Sequence, residues 1–100
     1  MALQPVSGGQ YTRISGTGAG TTVINPNAGN FYRVVVGGNF TGTATFYDSA
    51  TAGGSAAANY IIAMNNNSGT IPMNVEIGAR TKNGLIAVVG GTTDMTVIWD

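Results

Sequence analysis

Apolar residues recur with a period of two in short runs along this chain, and Gly, Asn, Pro and Ser separate the runs. Successive side chains of a strand point to opposite faces, so such alternation predicts half-buried strands rather than helices. Tyr32, Val34 and Val36 share one face on this pattern, as do Ala44 and Phe46, and then Met73, Val75 and Ile77 with Asn74 and Glu76 opposite them. Leu85 to Val89 is apolar on both faces, while Met95, Val97 and Trp99 alternate with Thr96 and Ile98. The sheet is therefore expected to be covered on both sides here, by a second sheet or by a neighbouring subunit.

The pattern predicts eight strands, at Tyr11–Ser15, Thr21–Asn25, Phe31–Gly37, Thr43–Asp48, Asn59–Met64, Met73–Ala79, Leu85–Val89 and Met95–Trp99. Val89-Gly90-Gly91-Thr92 supplies two glycines for a tight turn, which predicts that the last two strands form an antiparallel hairpin. Gly37-Gly38-Asn39 and Asn83-Gly84 offer similar corners. Ser49 to Ala58 carries helix-favouring alanines, but Gly53 and Gly54 interrupt it and no amphipathic stripe runs through it, so it is expected to be a flexible loop. Many short strands at this spacing make an all-β fold, an antiparallel β-sandwich of jelly-roll-like or Greek-key type, with a small β-barrel as the alternative.

One hundred residues with apolar positions spread evenly form a single domain, expected over 11–100. Residues 1–10 contain Pro5, Gly8 and Gly9 and show no alternation, so they are expected to form an N-terminal arm. Leu3 and Val6 flank Pro5, which has no backbone N–H to give to a sheet, and these three are the candidate docking contacts of an extended arm.

Charge changes the picture more than size does. Only 8% of the residues are charged and the formal net charge is zero, against roughly 25% charged in an ordinary soluble domain. The surface must consist mostly of Thr, Asn, Ser and Gly, and so neutral a surface is poorly protected against association; a permanent partner surface explains it, with an uncharged monomer as the alternative. Arg13, Arg33, Arg80 and Lys82 make no basic stripe, which argues against nucleic acid as a partner. The opening MALQPVSGGQ lacks the basic and apolar regions of a signal peptide, and no apolar run reaches the roughly 20 residues of a membrane span, so synthesis inside the cell and no membrane partner are expected.

With no histidine and no cysteine, the usual general base, the thiol nucleophile, most transition-metal sites and any disulfide are excluded. Asp48, Glu76, Asp94 and Asp100 remain, and nothing in the sequence pairs two of them as glycoside hydrolysis requires; they are expected to be solvated charges that discourage edge-to-edge pairing. Ser15-Gly16-Thr17-Gly18-Ala19-Gly20 misses the spacing of a phosphate-binding loop and is expected to be a turn between strands. Asn39-Phe40-Thr41 and Asn66-Asn67-Ser68 match the glycosylation pattern without a secretion signal to expose them to it. Asp48 and Asp94 are weak calcium candidates in the absence of a dense acidic loop. Tyr11, Phe31, Tyr47 and Trp99 would suit a sugar-binding platform, but core packing explains them with fewer assumptions. The expectation is a protein that is not an enzyme and holds no cofactor or metal.

The half from Phe31 onward carries a more specific signal. FYRVVVGGNFTGTATFYDSATAGGSAAANYI and MNVEIGARTKNGLIAVVGGTTDMTVIWD, with Tyr47-Asp48 before a small-residue loop, Asn83-Gly84-Leu85 before an apolar strand and Asp94 to Trp99 closing the chain, resemble small β-sandwich head decoration (cement) proteins of tailed bacteriophages. The resemblance covers roughly two-thirds of the sequence and does not extend to the N-terminal third. It implies a structural virion protein on the capsid surface, a homo-oligomer bound to the major capsid protein at the junctions of its subunits. Local three-fold symmetry at such junctions favours a trimer over a dimer. The alternative is a glycan- or receptor-binding module of a phage tail or adhesin, with a small glycosidase as a third class.

Overall fold

The computed structural model describes residues 10–37, 40–66 and 73–100, and these form one antiparallel sheet of seven strands. They are β1 (Gln10–Thr17), β2 (Gly20–Asn25), β3 (Gly29–Val36), β4 (Thr41–Tyr47), β5 (Tyr60–Asn66), β6 (Met73–Thr81) and β7 (Leu85–Trp99), with one 3₁₀ turn at Ala57–Asn59. The all-β expectation holds. The expected arm contributes Gln10 to β1, while Leu3, Pro5 and Val6 lie outside the described residues.

The fifteen-residue β7 is the spine. Along one side, β1 pairs from Gln10↔Trp99 to Thr17↔Thr92 and β2 continues from Gly20↔Val89 to Asn25↔Leu85. Ser15 to Gly20 is therefore a break in one long edge strand, not the expected turn, and the Gly18 N–H still donates to the Gly91 carbonyl at 3.0 Å. Along the other side, β3 pairs with the C-terminal half of β7 and β4 with its N-terminal half. Outside these lie β6 against β3 and β5 against β4.

A straight β7 would hold its ends far apart. Phe31 stands opposite Trp99 and Phe46 opposite Ala87, positions that a straight strand would separate by about 40 Å. The two rings instead lie 4.9 Å apart. The spine is thus folded back on itself, and the sheet closes into two layers: β1, residues 92–99 of β7, β3 and β6 in layer A; β2, residues 85–89 of β7, β4 and β5 in layer B. The β3–β7 ladder runs one pair beyond Phe31↔Trp99, where Asn30 and Asp100 exchange backbone hydrogen bonds of 3.0 Å.

The fold-back sits at Gly90-Gly91, and here the expected hairpin is overturned. Both favoured two-residue hairpin turns need positive φ at the first central residue, whereas here the second, Gly91, has a φ of 77° and the first, Gly90, is not in that region. Val89 and Thr92 do not pair with each other; Val89 pairs with Gly20 and Ala44, and Thr92 with Thr17 and Thr41. The two predicted C-terminal strands are one kinked strand, so seven strands stand where eight were expected.

Between the layers lie Ile14, Val34, Val36, Met95 and Val97 from layer A and Ile24, Ala44, Phe46, Met64, Leu85 and Ala87 from layer B, with Phe31 and Phe40 completing the cluster. Ala44 and Phe46 face inward as the alternation predicts, and Val75 and Ile77 pack against the cluster. In β3 the inward residue is Phe31 and not Tyr32, because the register slips by one between Phe31 and Arg33. Both faces of β7 are covered near its start: Leu85 and Ala87 point into the core, and Ile86, on the opposite face between Val23 and Tyr47, is also fully buried. The segment expected to be a flexible loop holds itself together, with Ser49 buried, its hydroxyl donating to the Thr51 carbonyl at 2.9 Å and the Asn59 side-chain amide donating to the Gly54 carbonyl at 3.0 Å.

Candidate functional site

Strand parity and the pairing register assign every outward side chain to one of two faces. On layer A, one cross-strand row reads Tyr11, Ile98, Arg33, Glu76 and the next Arg13, Thr96, Val35, Asn74, with Asp94 beside Ser15. Arg13 pairs with Asp94 at 3.1 Å and Arg33 with Glu76 at 3.4 Å. Arg80 is opposite Asn30 in the β3–β6 ladder of the same layer. Such exposed pairs add about 0–1 kcal/mol each to stability, so their main effect is to keep this face in water.

Layer B presents a different surface. Its outward rows read Val23, Ile86, Tyr47, Tyr60 and then Thr21, Val88, Thr45, Ala63, followed by Thr43 and Asn65. None of these residues is charged. Val23 is 41% exposed and Tyr60 54% exposed, and the Tyr47 and Tyr60 rings meet edge to face with centroids 6.3 Å apart. Of the eight charged residues in the chain, five stand on layer A, while Asp48 and Lys82 sit at the β6–β7 corner and Asp100 at the end of the β3–β7 ladder. The charge-free sheet face is the feature that sets this surface apart.

Asp48 has a role that its sequence neighbourhood does not show. Its carboxylate accepts the backbone N–H groups of Lys82 at 2.9 Å, Asn83 at 2.8 Å and Gly84 at 3.2 Å, which ties the end of β4 to the turn that carries the chain from β6 in layer A to β7 in layer B. Gly84 is required there, because a Cβ would stand 2.5 Å from the carbonyl oxygens of both Asn25 and Ser49. Burial works to raise the Asp48 pKa, but the three donors and the Lys82 charge together outweigh it and hold the carboxyl below its ordinary value. A carboxyl depressed in the folded state adds stability that is complete above its unfolded pKa, near 3.9, and is lost as the pH falls through the folded value. We expect Asp48→Ala to cost about 1–3 kcal/mol at neutral pH and to flatten the acid limb of the stability curve below pH ~4; urea titrations of both proteins across that range check it.

The other acids have individual partners: Asp94 and Glu76 in the ion pairs above, and Asp100 accepting from the Tyr32 hydroxyl at 3.4 Å. Among the described residues no three acidic side chains gather to hold a metal ion, and no helix is long and apolar enough to cross a membrane. The four aromatics considered for a sugar platform are dispersed. Phe31 is in the core, Trp99 is half-buried and donates to the Thr12 hydroxyl at 2.9 Å, Tyr11 lies on layer A and Tyr47 on layer B. No family model, curated protein or solved structure matches the chain. The outer face of layer B, missed by motif searching because it contains no motif, is the candidate functional surface.

Proposed function

We propose that the chain is a structural virion protein that decorates the head shell of a tailed bacteriophage, held to the outside of the major capsid protein by the outer face of layer B. The observation that carries this is the segregation of charge: layer A keeps its arginines and acids in water, while layer B offers Val23, Tyr47, Tyr60 and a surround of threonines with no charge to desolvate. Interface centres are depleted in charge and enriched in aromatic residues, as this face is. The sequence resemblance to cement proteins supplies the identity of the partner. The mechanism is thermodynamic: a protein that binds the assembled shell and not its separated subunits shifts the equilibrium toward the intact head.

Quantitative mass spectrometry of purified virions tests this, with a copy number proportional to the major capsid protein expected. A handful of copies per particle would replace it with the tail-module reading, in which Tyr60 and Tyr47 would meet a glycan. A charge placed on the face should also interfere. Val23→Asp, at an exposed position, is expected to weaken head occupancy at least about tenfold, equivalent to 1.4 kcal/mol, with the melting temperature within a few degrees of the parent. Arg33→Ala, on the opposite face, should bind heads normally.

A further inference from the structure

A sheet that is not a closed barrel has edges, and an unpaired edge is a row of backbone donors and acceptors ready to pair with another chain. Among the described residues β1, β2, β5 and β6 each pair on one side only. Three of these edges are guarded. The β1 edge carries Arg13 and runs into Gly16 and Gly18, both with positive φ. The β2 edge slips register between Val23 and Asn25 and meets Pro26 directly afterwards. The β6 edge carries Glu76 and Arg80, and its Gly78, at a φ of 66°, sits in the break of register between Ala79 and Glu76.

Among the described residues the β5 edge has no such protection. It reads YIIAMNN, with no charge and no proline. Its one irregularity falls at Ile61, leaving residues 62–66 in unbroken register with β4. Tyr and Ile favour strands, and an uncharged edge without proline is open to strand addition.

We propose that β5 is a strand-addition site at which a second copy of this chain pairs antiparallel through its own β5, joining two layer-B sheets into one sheet of eight strands. A second copy is the occupant because the edge is self-complementary. A two-fold axis through the middle of β5 sets this uncharged segment against itself, so no like charges are opposed. The outer face is also continuous across the join: the row Val23, Ile86, Tyr47, Tyr60 ends at this edge and would run on into the partner's row. The resulting symmetry is two-fold, in contrast to the trimer favoured from capsid geometry. The inference stands independently of head binding.

Sedimentation of the full chain over a range of micromolar concentrations should give the mass of two chains, dissociating on dilution. Ala63→Lys and, separately, Asn65→Lys place a cation beside the edge at exposed positions and should each raise the dimer dissociation constant at least about tenfold, with far-UV circular dichroism unchanged. Thr21→Lys, near the β2 edge, should leave it as it is. Hydrogen exchange of the parent should show the amides of 62–66 protected more strongly as concentration rises, which keeps the test decisive if one variant fails to fold. A concentration-independent monomer, a mass of three chains, dimers indifferent to both lysines, or dissociation by Thr21→Lys alone would overturn the proposal. A parent chain that is monomeric in solution yet occupies heads would overturn the β5 pairing and leave the functional reading intact, whereas loss of heads by dimeric Val23→Asp bears on the docking face alone.

Discussion

Gly42→Ala is expected to abolish the native fold or to cost more than about 4 kcal/mol, a large part of the 5–15 kcal/mol that stabilises a domain of this size. Where β7 folds back, β4 runs beside it backbone to backbone. A Cβ on Gly42 would run into the Gly90 carbonyl oxygen and stand 3.0 Å from the Gly91 Cα. None of these atoms belongs to a flexible side chain that can move aside. Gly91→Ala should be comparably severe for two reasons: its φ of 77° lies in the left-handed region that disfavours a side chain, and its Cβ would stand 2.6 Å from the Thr41 carbonyl oxygen. Gly20→Ala is the control, since nothing lies within 4 Å of a Cβ there and its φ is ordinary. It should be neutral or slightly stabilising through the unfolded chain. Urea unfolding of the three variants checks the set, and a Gly42→Ala protein of parental stability would mean that the two backbones do not approach so closely here.

The same glycines show where sequence patterning reaches its limit. The apolar pattern, alternating or continuous, marks each described strand, because burial of one face or of both imposes it whatever lies across the sheet. It did not distinguish a hairpin from a kink, since Gly90-Gly91 suits both, and only the identity of the strands beside Val89 and Thr92 decides between them. Strict alternation places Tyr32 on the core face, whereas a one-residue slip beside it reverses parity, and such a slip leaves no mark on composition. In the sequence Asp48 has the look of a solvated charge, because its partners are backbone amides more than thirty residues away, which no side-chain motif encodes. The scarcity of charge was legible, and so was its bearing on a partner surface. Its confinement away from one face was not, since that depends on which strands share a layer and hence on the fold-back of β7.

The fold-back itself has an energetic signature. Phe31 and Phe46 are both fully buried, on strands that pair with opposite halves of β7, and their tilted rings meet across the layers. Truncating either to alanine should cost about 3–5 kcal/mol, the transfer of a large ring plus the cavity it leaves. Because that approaches the stability of the whole domain, Phe→Leu at each position is the safer probe. The two single variants and the double variant form a thermodynamic cycle, and residues in contact show a coupling of about 0.5–3 kcal/mol, whereas well-separated sites add to within about 0.5 kcal/mol. An aromatic pair at this distance should contribute about 0.5–1.5 kcal/mol of coupling. In an extended sheet the two positions would be about 40 Å apart and strictly additive. Equilibrium unfolding in urea of the four proteins measures the difference directly. Coupling near zero with both single variants destabilised would place the rings in separate cores, and β7 would then have to run straight through Gly90 and Gly91.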